Sequence, residues 1–186
     1  MPRVASSVKP ISWKRRAIGV TVGLSESFGA AFAKAQLAAS NGLPLEGSIL
    51  ITVNDSDKKT VTPIARFFQE MGFKLFATRG TASYLRARGI PVSSVFKVHE
   101  GRPNCLDMIV NGDVDLLINT PLGKHAQWDD YTLRQAAIRH RVAYTTTLSA
   151  ASAASDAILS LRSRPSTVRS LQEWQQDILD AAAAPA

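Results

Sequence analysis

The sequence predicts an α/β fold: a three-layer, doubly wound, Rossmann-like arrangement around a mainly parallel five-stranded sheet. Three observations lead there. Short apolar, β-branched runs alternate with longer segments of helical period. Glycine or Asn/Asp/Ser/Thr turns separate most of them. One run, Val114 to Asn119, is strongly apolar, as befits a central parallel strand. Strand–helix alternation implies right-handed crossovers, with helices on both faces of the sheet.

The elements follow in order. Ser25 to Ala39 reads as a short helix with Phe28, Phe32, Ala35 and Leu37 near one face, and Asn41-Gly42-Leu43-Pro44 stops it. Ile49 to Val53 is the first strand. Asn54-Asp55-Ser56-Asp57 is a turn cluster suited to capping the next helix, Lys58 to Met71. That helix buries Val61, Ile64, Ala65, Phe68 and Met71, and Gly72 ends it. Phe73 to Ala77 is the second strand. Thr78-Arg79-Gly80-Thr81 leads into a helix reaching about Arg88. Val92 to Val98 is the third strand, and Leu106 to Val110 a short helix ended by Asn111-Gly112. After the fourth strand, Asp130 to Arg139 is helical and Val142 to Thr145 is the fifth strand. Ala150 to Leu161 is an Ala/Ser-rich helix, broken at Arg164-Pro165-Ser166, and Ser170 to Ala181 is a last amphipathic helix. The division that results is a basic, flexible leader (1–24), a helix and linker (25–46), the main domain (47–162), and a C-terminal helix and tail (163–186).

Composition narrows the function. The chain has 186 residues, 45% hydrophobic and 20% charged, which is globular composition. A single cysteine, Cys105, excludes an internal disulfide and a four-cysteine zinc site. No apolar run approaches the roughly 18 residues of a membrane helix. These features fit a reducing cytoplasm and no membrane association. The net charge is +7, but the first 24 residues hold five of the 22 basic groups and no acid. The high pI is therefore mainly an N-terminal property. A nucleic-acid binder puts its basic excess on the folded part, so no nucleic-acid partner is expected. Lys14-Arg15-Arg16 before an apolar stretch imitates a signal sequence, but no Ala-x-Ala site follows directly.

In doubly wound sheets ligands sit beyond the carboxyl ends of the strands. That rule singles out 54–58, 78–81, 97–104 and 119–124. Thr78-Arg79-Gly80-Thr81 is the sharpest signal: Gly80 permits close backbone approach, and two hydroxyls with a helix start suit a phosphate. Lys58 and Lys97 supply point charges, and Asn119 and Thr120 neutral hydrogen bonds. Each alone has an ordinary structural reading as a cap, a turn or a solvated charge. Their convergence on one sheet edge makes a phosphate or nucleotide pocket. His99 and Cys105 imitate a nucleophile pair without a third orienting group. His99, Glu100 and Asp107 have no diagnostic metal spacing, so no metal and no catalytic residue are assigned.

Five runs together resemble one family: Ile51-Thr52-Val53 through Lys58, Ala77-Thr78-Arg79-Gly80-Thr81-Ala82, Lys97-Val98-His99-Glu100-Gly101-Arg102-Pro103, Ile118-Asn119-Thr120, and Tyr144-Thr145-Thr146-Thr147. The chain is similar to the methylglyoxal-synthase-like domain at the C-terminus of the carbamoyl phosphate synthase large subunit. The likeness covers about residues 47 to 162. It extends upstream, where Phe32-Ala33-Lys34-Ala35-Gln36-Leu37 resembles the end of the preceding synthetase half. The resemblance implies an allosteric module for pyrimidine and arginine biosynthesis, without cofactor, binding UMP or IMP. The phosphate would sit against Lys58, Thr78, Gly80 and Thr81, with Lys97, Asn119 and Thr120 completing the pocket. The partners implied are the synthetase domains and the small subunit, with a homo-oligomer as a further expectation.

Two departures bear on the effector. Pro121 stands where the family often has a threonine, and Asp130 where a serine is common. Two rivals share the fold. Methylglyoxal synthase needs a carboxylate base where Arg102 stands here, and an arginine cannot take that role. The other rival is an inert fragment or docking module, whose first helix would expose apolar residues to a partner. Without ATP-binding synthetase domains, the chain is not expected to be an enzyme on its own.

Overall fold

A computed structural model describes residues 22–39, 41–120, 127–163 and 170–183. The expectations for residues 1–21, Pro121, Lys124, His125 and the break at Arg164-Pro165-Ser166 lie outside the described residues.

The sheet contains β1 (Ser48–Thr52), β2 (Lys74–Thr78), β3 (Ser93–Val95), β4 (Leu116–Asn119) and β5 (Ala143–Thr145). Their order is β3-β2-β1-β4-β5, and every pair is parallel. The central strand β1, Ser-Ile-Leu-Ile-Thr, is buried along its whole length. Three consecutive apolar residues suit such a strand, because both of its faces are covered. The helices are α1 (Phe28–Ala38), α2 (Lys58–Glu70), α3 (Arg79–Arg86), α4 (Cys105–Asn111), α5 (Gln127–His140), α6 (Leu148–Ser163) and α7 (Leu171–Ala183). Among the described residues no helix is long and apolar enough to cross a membrane.

Alternation along β1 divides the core into two layers. Ile49 and Ile51 face a cluster with Val61, Phe68, Leu85 and Ile158, from α2, α3 and α6. Leu50 faces the opposite cluster, with Met108, Ile109, Leu133 and Ala137 from α4 and α5. The result is helix, sheet, helix, wound outward in both directions from the β1–β4 pair.

Two local expectations need correction, on the third strand and on Met71. The third strand is shorter than Val92 to Val98. It stops at Val95, and Phe96 makes an isolated bridge to Asn104 before the chain turns. Lys97 therefore stands in the loop, where its N–H donates to the Glu100 carboxylate at 3.0 Å instead of to a strand. The first helix leaves two large apolar residues, Phe28 and Leu37, exposed. Phe28 and Leu37 are 68% and 70% exposed, while Gly29 and Ala33 are buried. Small residues win that side because α1 lies close on α6: a Cβ on Gly29 would meet the Asp156 carbonyl oxygen at 2.7 Å. Met71 lies just past the end of α2 and is only partly buried against the first cluster.

Candidate functional site

The strand order places the topological switch between β1 and β4, the point at which sheets of this kind bind ligands beyond the strand ends. β1 ends at Thr52 and β4 at Asn119, paired in register. The Thr52 hydroxyl donates to Asn119 Oδ1 at 2.6 Å, and the Thr120 N–H donates to the Thr52 carbonyl at 3.0 Å. Thr120 Oγ1 in turn accepts from the Asn54 N–H at 3.3 Å. Thr52, Asn119 and Thr120 are all buried, so these bonds set a polar floor at the ends of β1 and β4.

The loop above that floor folds on itself. Asn54 Oδ1 accepts from the Asp57 N–H at 2.9 Å and from the Ser56 hydroxyl at 2.5 Å. Asn54 Nδ2 donates to Asp57 Oδ2 at 2.8 Å. Asp57 occupies the N-cap position of α2 but makes no side-chain cap bond, because its carboxylate is turned to Asn54. The turn cluster thus closes a loop where the sequence suggested a cap. Lys58 opens α2, and its Nζ lies 2.6 Å from Asp55 Oδ1. The same Nζ is 3.1 Å from where a Cβ on Gly80 would stand. A larger residue at position 80 would crowd the ammonium, so glycine there serves the close approach of α2's first residue to α3.

On the α3 side, Thr78 ends β2 and is the N-cap residue, again without a side-chain cap bond. Its hydroxyl donates to Thr81 Oγ1 at 3.4 Å, and both threonines are buried. Thr81 lies inside the first turn of α3 and does not act as its cap. Beside it the Arg79 guanidinium stacks 4.5 Å from the Phe96 ring centroid. Lys97 follows Phe96 in a tight turn, with the Glu100 N–H donating to the Lys97 carbonyl at 3.0 Å. Asn104 pins this loop from below, donating to the Gly101 carbonyl at 2.9 Å. The Asp55 carboxyl is held below its ordinary range by the Lys58 hydrogen bond first, then by the Lys58 charge, with Lys97 adding to the effect.

The arrangement brings Lys58 to Gly80, Thr78 to Thr81, Asn119 to Thr52, and Thr120 to Asn54. Cations, hydroxyls and a side-chain amide line one sheet edge, which is the chemistry of an anion site. The neighbouring groups are differently employed. His99 Nδ1 lies 2.8 Å from Asp129 Oδ2 on the surface. The Arg102 Nε–H reaches both carboxylate oxygens of Asp107 at 3.1 Å. That pair lowers the Asp107 carboxyl, chiefly through the Arg102 hydrogen bond. Burial pushes the Cys105 thiol up to about 12, so it is no thiolate beside His99. Asp130 is buried on α5. Among the described residues no group of three or more His, Cys, Asp and Glu side chains could hold a metal.

Sequence reasoning singled out the 54–58 loop but, within it, only Lys58 as a candidate, and it passed over Thr52 and Thr145. Thr145 Oγ1 is buried at the end of β5 with no hydrogen-bond partner among the described residues. The signal available for Thr52 and Thr145 was their position: polar residues closing otherwise apolar parallel strands.

Residues 60–146 match the family model described as MGS-like domain. The chain is 58% identical over 161 residues to the carbamoyl phosphate synthase large chain of Gemmatimonas aurantiaca, covering 87% of this chain and 15% of that one. It is 50% identical over 159 residues to the C-terminal section of that large chain from Methanopyrus kandleri, covering 85% of this chain and 29% of the relative. The chain thus spans a minor part of these relatives. A solved methylglyoxal synthase from Elizabethkingia anophelis superposes with a TM-score of 0.47 at 20% identity, over 59% of this chain and 76% of its own, too loose a match to bear on the site.

Proposed function

We propose, from the premise that residues 60–146 of this chain are an MGS-like domain of the kind found in carbamoyl phosphate synthase large chains, that the chain is an allosteric nucleotide-binding domain. Its effector is UMP or IMP, with the 5′-phosphate seated against Lys58, Thr78, Gly80 and Thr81. Lys97, Asn119 and Thr120 complete the pocket. The observation that carries this reading is the approach of Lys58 Nζ to Gly80 at the start of α3, beside the buried Thr78–Thr81 hydroxyl pair. An ammonium reaching across from α2 and two hydroxyls at the start of α3 are suited to phosphate oxygens.

The domain has no catalytic role of its own in this reading. Allostery couples two sites, and this chain supplies the effector side. The partner is a cytoplasmic synthetase that makes carbamoyl phosphate for pyrimidine and arginine biosynthesis. The test is calorimetric titration of the purified chain with UMP and IMP, with orthophosphate as control. One nucleotide should bind at least about tenfold more tightly than phosphate, and Lys58→Ala should weaken it by roughly tenfold or more. A folded chain that binds neither nucleotide refutes the assignment.

A further inference from the structure

Lys97 has no strand to hold it. β3 stops at Val95, and the loop 97–104 that carries the lysine is bonded mainly to itself and to the start of α4. The Glu100 carboxylate takes the Lys97 N–H, Asn104 Nδ2 donates to the Val98 and Gly101 carbonyls, and Arg102 pairs with Asp107. Among the described residues, one side-chain hydrogen bond of residues 97–102 leaves this neighbourhood. His99 Nδ1 lies 2.8 Å from Asp129 Oδ2, 30 positions along the chain. Asp129 stands in the first turn of α5, and that helix is anchored in the core by Leu133, Ala136 and Ala137.

We propose that His99 is a positioning residue: its hydrogen bond to Asp129 ties loop 97–104 to α5 and so holds Lys97 toward the strand ends where Lys58 and Thr78 stand. This deepens the effector-site reading above and rests on it. A ring nitrogen that faces a carboxylate carries a proton and donates it, and the imidazole needs no contact with the ligand to do so. The link to Lys97 is short. His99 is two residues from the lysine, and Val98 between them packs against the cluster that α5 shares. The Lys97 charge acts on Asp55, the ion-pair partner of Lys58. A cation already held in place binds an anion better than one that must be ordered first, because ordering a lysine costs conformational entropy. Positioning and plain electrostatics predict opposite signs at Asp129. If only charge matters, deleting a carboxylate near an anion site tightens anion binding. If Asp129 works by holding the loop, deleting it loosens binding.

The test titrates the full chain with inorganic phosphate, UMP and IMP at pH 8. His99→Ala and Asp129→Ala should each weaken binding by about three- to fivefold, the worth of one partly exposed charge-assisted hydrogen bond, and the double variant should lose no more than either. His99→Asn, whose amide N–H stands where Nδ1 stands, should bind within about twofold of the parent. His99→Gln, whose amide stands at the Nε2 position, should behave like the alanine variant. In a Lys97→Ala background, His99→Ala should change nothing further, because the group it positions is gone. His99 and Asp129 are 66% and 31% exposed, so circular dichroism should show every variant folded. If His99→Ala binds within about twofold of the parent, if Asp129→Ala tightens binding, or if the loss persists without Lys97, the role of His99 is overturned while the cradle stands. If the parent binds neither phosphate nor nucleotides, the effector site falls, and the role of His99 with it.

Discussion

Cys105 begins α4 and is buried in the cluster that holds Val95, Leu117 and Ile109. Loss of hydration is the main cause that pushes its thiol up to about 12. The sign of the consequence follows from which state holds the proton. Unfolded, the thiol ionises near its ordinary value of about 8.5, so from there to pH 12 the unfolded chain has lost a proton that the folded chain keeps. Its contribution to stability is complete below that window and declines as the pH climbs through it. At pH 8 a disulfide reagent should label native protein slower than urea-unfolded protein by roughly two to three orders of magnitude. Equal rates would mean that the thiol is solvent-accessible. The same residue shows what a sequence conceals. Cys105 and His99 are six positions apart, close enough to suggest a pair, yet burial separates their chemistry. Lys58, Gly80 and Thr81 could be named as candidates because a cation or a glycine–threonine turn after a strand draws notice by itself. Thr52 could not, since its partner Asn119 lies 67 residues away and only the β1–β4 register joins them.

Helix α1 exposes a competition between propensity and packing. In an open helix, replacing glycine by alanine is worth about 1 kcal/mol of stability. At Gly29 the new methyl would stand 2.7 Å from the Asp156 carbonyl oxygen and 3.0 Å from its carbon, both backbone atoms of α6. Overpacking against backbone costs about 1–3 kcal/mol, so it overrides the helical gain. Gly29→Ala should lower the urea midpoint, by about 1–2 kcal/mol in free energy. An increase would show that α1 can lift away from α6 at little cost. The helix itself was readable, but not its inner face, because apolar periodicity weighs Phe28 and Leu37 and ignores the small residues that allow two helices to touch. The strands were easier. Apolar runs located all five, with ends misplaced where side chains intervene: Glu100 captures the Lys97 N–H and so takes that residue out of the third strand.

Across the whole molecule, Arg162 near the end of α6 joins distant parts of the chain. Its Nε–H donates to the Leu45 carbonyl at 2.7 Å, and an Nη1–H to the Met71 carbonyl at 2.6 Å. The guanidinium also lies 5.1 Å from the Phe73 ring centroid. The entry to β1, the end of α2 and the end of α6 thus meet at one planar group. Lysine cannot span two carbonyls with that geometry. Arg162→Lys should cost about 1 kcal/mol, tempered by the exposure of the site, and lower the melting temperature by roughly 2–4 °C with nucleotide affinity unchanged. A loss of affinity in this variant would mean that the far end of α6 communicates with the sheet edge. The clasp has a consequence of another kind. Leu45 and Arg162 bracket the sheet in sequence and touch in space, so the folded unit is entered and left at one corner. Units with adjacent ends can be moved between hosts, appended or permuted without rerouting the host's backbone. A unit built this way is portable, and Leu45 and Arg162, which make it so, lie away from the strand ends that carry Lys58 and Thr78.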